Sequence, residues 1–133
     1  MNERRLIILL IILLLTGCSR TLDCKIKTDN YQAKVSIVFK NGAPRKYLFK
    51  DKMSFKNSPL DKYFYLKKKK REYKPLTNYN QAKIIETKNK VKTSINYNFL
   101  KENDYNKNKL LINKNDNIKS SIKKIESYGY KCR

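Results

Sequence analysis

The stretch AKVSIVFKNG, residues 33–42, decides the fold class because it joins a regular alternation to a turn signal. Every second residue from Ala33 to Phe39 is apolar, and the residues between them are mostly polar. That alternation is typical of a strand with one buried face. Asn41-Gly42 then gives a strong signal for a two-residue turn. The stretch predicts an antiparallel hairpin with one apolar face.

The segments on either side of this hairpin extend the predicted sheet. Residues 24–28, CKIKT, also alternate, and Asp29-Asn30 is a turn signal between the two strands. Residues 45–55 can form a third strand, but their alternation would place Asp51 on the apolar face. A β-bulge near Asp51 would remove that conflict.

A second hairpin is predicted over residues 82–99, with Asn89-Lys90 at its turn. Every second residue from Val91 to Phe99 would share one face. Residues 101–109 are polar and predict a loop or a short helix. Residues 110–112, LLI, predict a strand or a docked turn.

The first helix has a clear start at Ser58-Pro59-Leu60-Asp61. Ser58 can cap the helix, Pro59 suits its first position, and Asp61 can return to the cap backbone. The helix should end before Pro75. Its apolar stripe is predicted to contain the side chains Leu60, Tyr63, Phe64 and Leu66.

A second helix is predicted near the C-terminus, where Ile118, Ile122 and Ile125 fall at helical spacing. Asp116 or Asn117 can cap its start, and Gly129 suits the left-handed position that follows a helix. Together these elements predict one small α+β domain over residues 24–133. It would have an antiparallel sheet of about five strands and two helices packed on one face.

The first eighteen residues have the pattern of an export signal. Arg4 and Arg5 precede an apolar run at 6–15, which is too short for a spanning helix and suits a secretory signal. Thr16-Gly17 and Cys18 follow, so that the segment resembles the lipobox of bacterial lipoproteins. The resemblance implies that residues 1–17 are removed and that Cys18 is acylated, with 18–23 as a lipidated tether. The alternatives are an ordinary secretory signal and an uncleaved membrane anchor.

Two cysteines remain once Cys18 is assigned to the lipid. Cys24 and Cys132 lie near opposite ends of the mature chain, and an exported compartment permits disulfides. We therefore predict a Cys24–Cys132 bond. The alternative is two free thiols in a reducing environment.

The charge of the chain is strongly positive, with 32 Lys and Arg against 11 Asp and Glu and a formal net charge of +21. Export argues against nucleic acid as the partner. The partners that remain are anionic lipid head groups, phosphate-rich wall polymer or an envelope protein. The alternative is that the charge is incidental, because A/T-rich codons favour Lys, Asn, Ile and Tyr.

The basic run KKKKR at 67–71 is the most conspicuous charged segment. One interpretation is a contact with an anionic surface, since each Lys or Arg near such a surface contributes about 1 kcal/mol. The other is a solvated helix end, where cations suit the macrodipole. The predicted contact residues are Lys67, Lys68, Lys69, Lys70 and Arg71.

Enzyme chemistry is not expected. The chain has no His, no spaced pair of carboxylates and only three Gly, so the usual base, acid pair and phosphate-binding loop are missing. Two distant thiols without His do not suit a metal site. We predict no catalytic residues, no metal and no cofactor.

The lipobox, the opening hairpin and the ending Gly129-Tyr130-Lys131 after a terminal helix resemble the YehR-like family of small bacterial lipoproteins. That resemblance implies an envelope lipoprotein and brings no catalytic residues with it. The expected function is a non-enzymatic binding module, lipid-anchored at Cys18 on the outer face of the cell membrane. The alternative is a structural or accessory envelope lipoprotein whose basic charge is incidental.

Overall fold

A computed structural model describes residues 18–78, 80–101 and 110–133. Six strands in this part of the chain form one antiparallel sheet in the order β4-β5-β3-β2-β1-β6. The strands are β1 (Ser19–Lys27), β2 (Tyr31–Lys40), β3 (Ala43–Ser54), β4 (Ala82–Glu86), β5 (Lys90–Asn98) and β6 (Lys131–Cys132). The helices are α1 (Pro59–Glu72), α2 (Lys74–Asn78) and α3 (Ile118–Ser127), with a 3₁₀ turn at Phe99–Lys101. The α+β class is confirmed, and the described residues add the short β6 and α2 to the predicted elements.

The β2–β3 hairpin turns at Asn41-Gly42, as predicted. Both residues have positive φ, 54° and 79°, which is what the type I′ turn requires of its two central residues. The predicted bulge near Asp51 is wrong. The register is regular there, with Ala33 opposite Asp51, and the irregularity lies between Val38 and Phe39, near the turn.

One face of the sheet forms the core, because alternate side chains of each strand point to the same side. The alternation predicted from Ala33 to Phe39 and from Val91 to Phe99 is confirmed, since all of those inward side chains are buried. Ile125 of α3, Leu76 of α2 and Ile112 pack against this face. Residues 110–112 are therefore a docked turn rather than a strand.

Helix α1 begins at Pro59, as predicted, but presents a different face to the sheet. The predicted stripe residues Leu60, Tyr63 and Phe64 are 64%, 55% and 58% exposed. Leu66 is buried, and the ring of Tyr65 lies 5.1 Å from that of Phe55. On this side of the helix, Lys69 pairs with Asp51 of β3 and Lys62 with Glu86 of β4.

The predicted tether is part of the sheet. Residues 19–23 are the first half of β1, with Ser19 opposite Lys40 and Asp23 opposite Ser36. The Asn41 N–H donates to the Cys18 carbonyl at 3.2 Å. Because β2 continues to Lys40, it offers a partner for each of these residues, and paired backbone is more stable than a free segment.

The C-terminal segment closes the far edge of the sheet. A capping box between Asn117 and Ser120 starts α3, and Gly129 ends it with a φ of 94°. The chain then returns as β6, with Cys132 opposite Cys24. Their Sγ atoms are 2.05 Å apart, which joins the first and last strands across 108 residues.

The Cys24–Cys132 bond should supply a measurable part of the stability. Removing a native disulfide from a small domain typically costs roughly 2–5 kcal/mol, and a loop of this length favours the upper part of that range. We expect the double variant Cys24→Ala/Cys132→Ala to lose that much free energy of unfolding in urea, with no further effect of reductant. Cys18→Ser, which leaves the bond intact, is the matched control. Equal stability of the double variant and this control would contradict the prediction.

Candidate anion-binding face

The face of the sheet opposite the core carries the candidate site, and we call it the open face. In β1, β2, β3 and β5 its side chains alternate with those of the core and are exposed or half-buried. Their identity follows from the same alternation that builds the core, since the polar residue of each apolar–polar pair must point outward.

A first row of lysines crosses all six strands. The register places the row's members directly beside one another, five Lys and one Ser. In spatial order they are Lys131, Lys25, Lys34, Lys50, Ser94 and Lys83.

A second row lies two residues further along the strands. Its members in spatial order are Lys27, Gln32, Lys52, Lys92 and Ile85. Neighbouring strands are about 4.8 Å apart, and residues two apart on one strand are separated by roughly 6.6 Å. The lysine rows, as we call the two together, therefore bring eight ammonium groups onto a compact surface.

A shallow groove of about 360 Å³ runs between the lysine rows. Its walls include Lys25 and Lys34 on one side, and Lys27 and Lys52 on the other. A second depression, of about 730 Å³, lies at the β1–β6 edge and adds Lys131 and Arg133 to its lining. An elongated anion in the groove would meet cations on both sides.

Carboxylates are almost excluded from the open face. The described residues include eight Asp and Glu side chains, of which Asp23 alone lies on this face. Asp23 accepts a hydrogen bond from the Ser36 hydroxyl. Within the described residues, none of the eight lysines forms an ion pair. Like charges directly opposite each other destabilise a sheet. A bound anion would relieve that repulsion.

The predicted contact at 67–71 does not form one surface. The Lys69 side chain is 13% exposed and points inward, with its Nζ 3.1 Å from Asp51 Oδ2. Lys68 pairs with Glu72 at 3.8 Å along the helix. Lys67, Lys70 and Arg71 are exposed, but successive residues of a helix point in different directions. The prediction is therefore wrong for Lys69, whose charge is used inside the protein.

Asp51 is the centre of a buried polar cluster on the core face. Its carboxylate accepts hydrogen bonds from Lys69 Nζ at 3.1 Å, the Tyr31 hydroxyl at 3.0 Å and the Thr93 N–H at 3.0 Å. The Lys69 ammonium also lies 4.9 Å from the centre of the Tyr73 ring. Each oxygen of Asp51 thus has a donor, which explains how a carboxylate is accommodated among core residues.

The cluster shifts the proton affinities of its members. Burial and the nearby charge of Asp51 raise the pKa of Tyr31. Burial alone would lower the pKa of Lys69, but its interactions with Tyr73, Asp51 and Tyr65 outweigh burial and raise it. Tyr31 and Lys69 therefore keep their protons, so that both continue to donate hydrogen bonds to Asp51. This arrangement fastens α1 to the sheet.

Cys18 is exposed and lies immediately before β1. No helix in the described residues is long and apolar enough to cross a membrane. The same residues hold no group of three or more His, Cys, Asp or Glu side chains that could bind a metal ion.

Comparisons with protein-family models, curated proteins and solved structures found no match to this chain. The resemblance to YehR-like lipoproteins thus stays a prediction from the sequence. The sequence analysis did not predict the lysine rows. The signal for them was present as Lys at alternate positions, for example Lys25 and Lys27, or Lys50 and Lys52.

Stability should fall at high pH. The pKa of Lys69 is raised above its ordinary value of 10.5. The pKa values of five tyrosines are raised above their ordinary value of 10.0. They are Tyr31, Tyr47, Tyr65, Tyr73 and Tyr130. The folded protein then holds protons that the unfolded chain releases. Stability is therefore fully present below the unfolded pKa and is lost as the pH rises above about 10. Urea unfolding between about pH 8 and pH 11 would measure this loss.

The variant Tyr31→Phe separates this linkage from general alkaline damage. It removes one titrating group, so that the loss of stability with pH should become shallower even if the variant is less stable at neutral pH. An unchanged slope, or a wild-type stability that is flat through this range, would contradict the assignment.

Proposed function

We propose that this chain is a lipid-anchored envelope protein that binds a phosphate-bearing anionic component of the envelope through its open face, without catalysis. The lysine rows carry this proposal. They place eight cations on one surface that lacks counter-charges among the described residues, apart from Asp23.

Two observations support the proposal that Cys18 carries a lipid anchor. The segment from Arg4 to Cys18 has the pattern of a lipoprotein signal. Cys18 is exposed at the start of the folded domain, where an acyl group would not disturb the core. Two or three acyl chains on one cysteine hold a protein stably at a membrane, whereas one chain holds it marginally.

The chemistry of lysine suits a repetitive anion. Its ammonium is a compact charge on a flexible stem and lacks the planar fork with which Arg recognises one phosphate in a fixed geometry. The charged members of the lysine rows are all Lys, without Arg. They would thus select by charge density and spacing more than by the shape of a single group. Binding of this kind weakens steeply as salt rises.

A second candidate is an accessory lipoprotein that acts through a protein partner. One observation favours it, the exposed cluster of Leu60, Tyr63 and Phe64 on α1. The rings of Tyr63 and Phe64 lie 5.5 Å apart and form a small apolar patch. Such patches are common at protein interfaces. This function would leave the lysine rows without a ligand.

The binding proposal is tested with the lipoprotein in neutral detergent and inorganic polyphosphate as the probe. We expect the variant with Lys25, Lys34, Lys50, Lys52 and Lys92 all changed to Gln to lose most of its affinity in calorimetric titration. The slope of log K against log salt should become shallower, by about the number of phosphate groups that the variant no longer neutralises.

The matched control removes the same charge from the helices. It changes Lys67, Lys70, Lys74, Lys119 and Lys123 to Gln, all of them exposed. This control should bind nearly as tightly as the unchanged protein. Equal losses in the two variants would show that net charge alone governs binding and would refute the site. So would the absence of polyphosphate binding by the unchanged protein.

The anchor is tested by the intact mass of the protein from the membrane fraction of its host. The mass should correspond to a chain that begins at Cys18 and carries acyl groups. Alkylation should add two further groups only after reduction, at Cys24 and Cys132. A Cys18→Ser variant should carry no lipid. A full-length, unacylated mass for the unchanged protein would refute the anchor.

A further inference from the structure

The end of the sheet that carries Cys18 has features that the proposed function does not use. We call it the anchor end, formed by residues 18–20, 40–46 and 98–100. The Asn41 N–H bonds the Cys18 carbonyl, and β1 begins at the next residue. An acyl group on Cys18 would therefore be attached directly to the sheet, with no slack between lipid and domain.

The anchor end is basic. Arg20, Lys40 and Lys46 are exposed, and the half-buried Arg45 lines the same depression as Lys40 and Lys46. The residues that define this end include no Asp or Glu. Lys and Arg that lie next to a membrane anchor attract anionic head groups, and this attraction acts within about a Debye length.

The anchor end also exposes an apolar side chain. Leu100 is 70% exposed, and the Asn98 side chain holds it in place by accepting a hydrogen bond from the Leu100 N–H at 2.9 Å. Leu100 borders a depression of about 730 Å³ with Lys40, Arg45 and Lys46 in its lining. An apolar group among cations is the pattern that binds at the boundary between head groups and acyl chains.

We propose that the anchor end is a docking surface for anionic phospholipid head groups and that it holds the domain end-on at the membrane. This inference rests on the acylation of Cys18 proposed above. Lys25 lies seven residues along β1 from Cys18 and Lys27 lies nine, which places the lysine rows roughly 23–30 Å from the anchor. At that distance, well beyond a Debye length of about 8 Å, the lysine rows are left free for a polymer.

The main competing orientation places the open face flat on the bilayer. Sheet twist opposes it, because neighbouring strands rotate by about 20–25° and the rotation accumulates to roughly 100° across six strands. A surface twisted in this way cannot bring both ends of the lysine rows onto one plane. The anchor end consists of the ends of four strands, β1, β2, β3 and β5, and end-on docking does not require the open face to lie flat.

The test measures depth in the bilayer with the lipoprotein reconstituted in vesicles. Cys18 is acylated and the other two cysteines are bonded, so that one introduced cysteine can be labelled with a fluorophore. The probes are Ala43→Cys at the anchor end, Ser94→Cys in the first lysine row and Asn89→Cys at the opposite end. The quencher is a lipid with a nitroxide on its head group.

We expect loss of fluorescence at Ala43 in vesicles that contain phosphatidylglycerol, and none at Ser94 or Asn89. In vesicles of phosphatidylcholine alone, the loss at Ala43 should be smaller because the domain pivots on its anchor. Quenching at Ser94 would show that the open face lies on the membrane. Quenching at Asn89 would show that the end of the sheet opposite Cys18 reaches the membrane. Either result, or a loss at Ala43 that is the same in both lipids, would overturn the proposal.

Two variants separate this proposal from the function it rests on. Changing Arg20, Lys40, Arg45 and Lys46 to Gln should abolish the lipid dependence at Ala43 and leave polyphosphate binding intact. Changing Lys25, Lys34, Lys50 and Lys52 to Gln should abolish polyphosphate binding and leave the lipid dependence at Ala43 intact. If the first variant behaves like the unchanged protein in vesicles while polyphosphate still binds, the docking surface fails and the proposed function stands. A chain without acyl groups would not be held in the vesicles, and the docking proposal would fall with its premise.

Discussion

A shift of one residue in the register of β1, β2, β3 or β5 would turn the apolar side chains to solvent and put lysines in the core, because side chains alternate with a period of two. The register is therefore strongly determined. Val35, Ile37, Tyr97 and their neighbours leave one arrangement that buries them all. The same arrangement aligns Lys25, Lys34 and Lys50 on the other side. The candidate site is thus a direct consequence of how the core is built.

Asp51 is the exception within that pattern, and it explains the placement of α1. A buried ion pair is weak evidence for stability, since desolvation can exceed the attraction between the charges. The pair instead fixes the position of α1. Asp51 on β3 accepts hydrogen bonds from Tyr31 on β2, from Thr93 on β5 and from Lys69 on α1. A second set of bonds joins α1 to the β4–β5 hairpin, where Lys62 Nζ lies 2.9 Å from Glu86 Oε1. The side of α1 that faces the sheet therefore carries two anchoring lysines, Lys62 and Lys69, together with the buried Leu66.

These features show where prediction from the sequence succeeds and where it stops. The strand alternation, the Asn41-Gly42 turn, the start of α1 at Pro59 and the left-handed Gly129 are local, and local propensity predicted them. The predicted stripe on α1 is confirmed for Leu66 but was wrong for Leu60, Tyr63 and Phe64. Those three are the obvious apolar residues of the segment, whereas the orientation of the helix also depends on polar partners from distant strands. A bulge was expected at Asp51 because its partners Tyr31, Thr93 and Lys69 lie on other elements and are not evident from the local sequence. The lysine rows require the pairing of all six strands, which no single segment shows.

Composition bias explains the number of lysines better than their arrangement. A bias towards A/T-rich codons enriches Lys wherever a codon changes freely, and it acts equally on both faces of a helix and on every loop. It gives no reason for carboxylates to be nearly absent from the open face while Asp61, Glu72 and Glu126 remain on the helices. Nor does it offset the repulsion between lysines that lie directly opposite each other. The anion binding that we propose would offset this repulsion, because a phosphate between two opposed lysines is attracted to both.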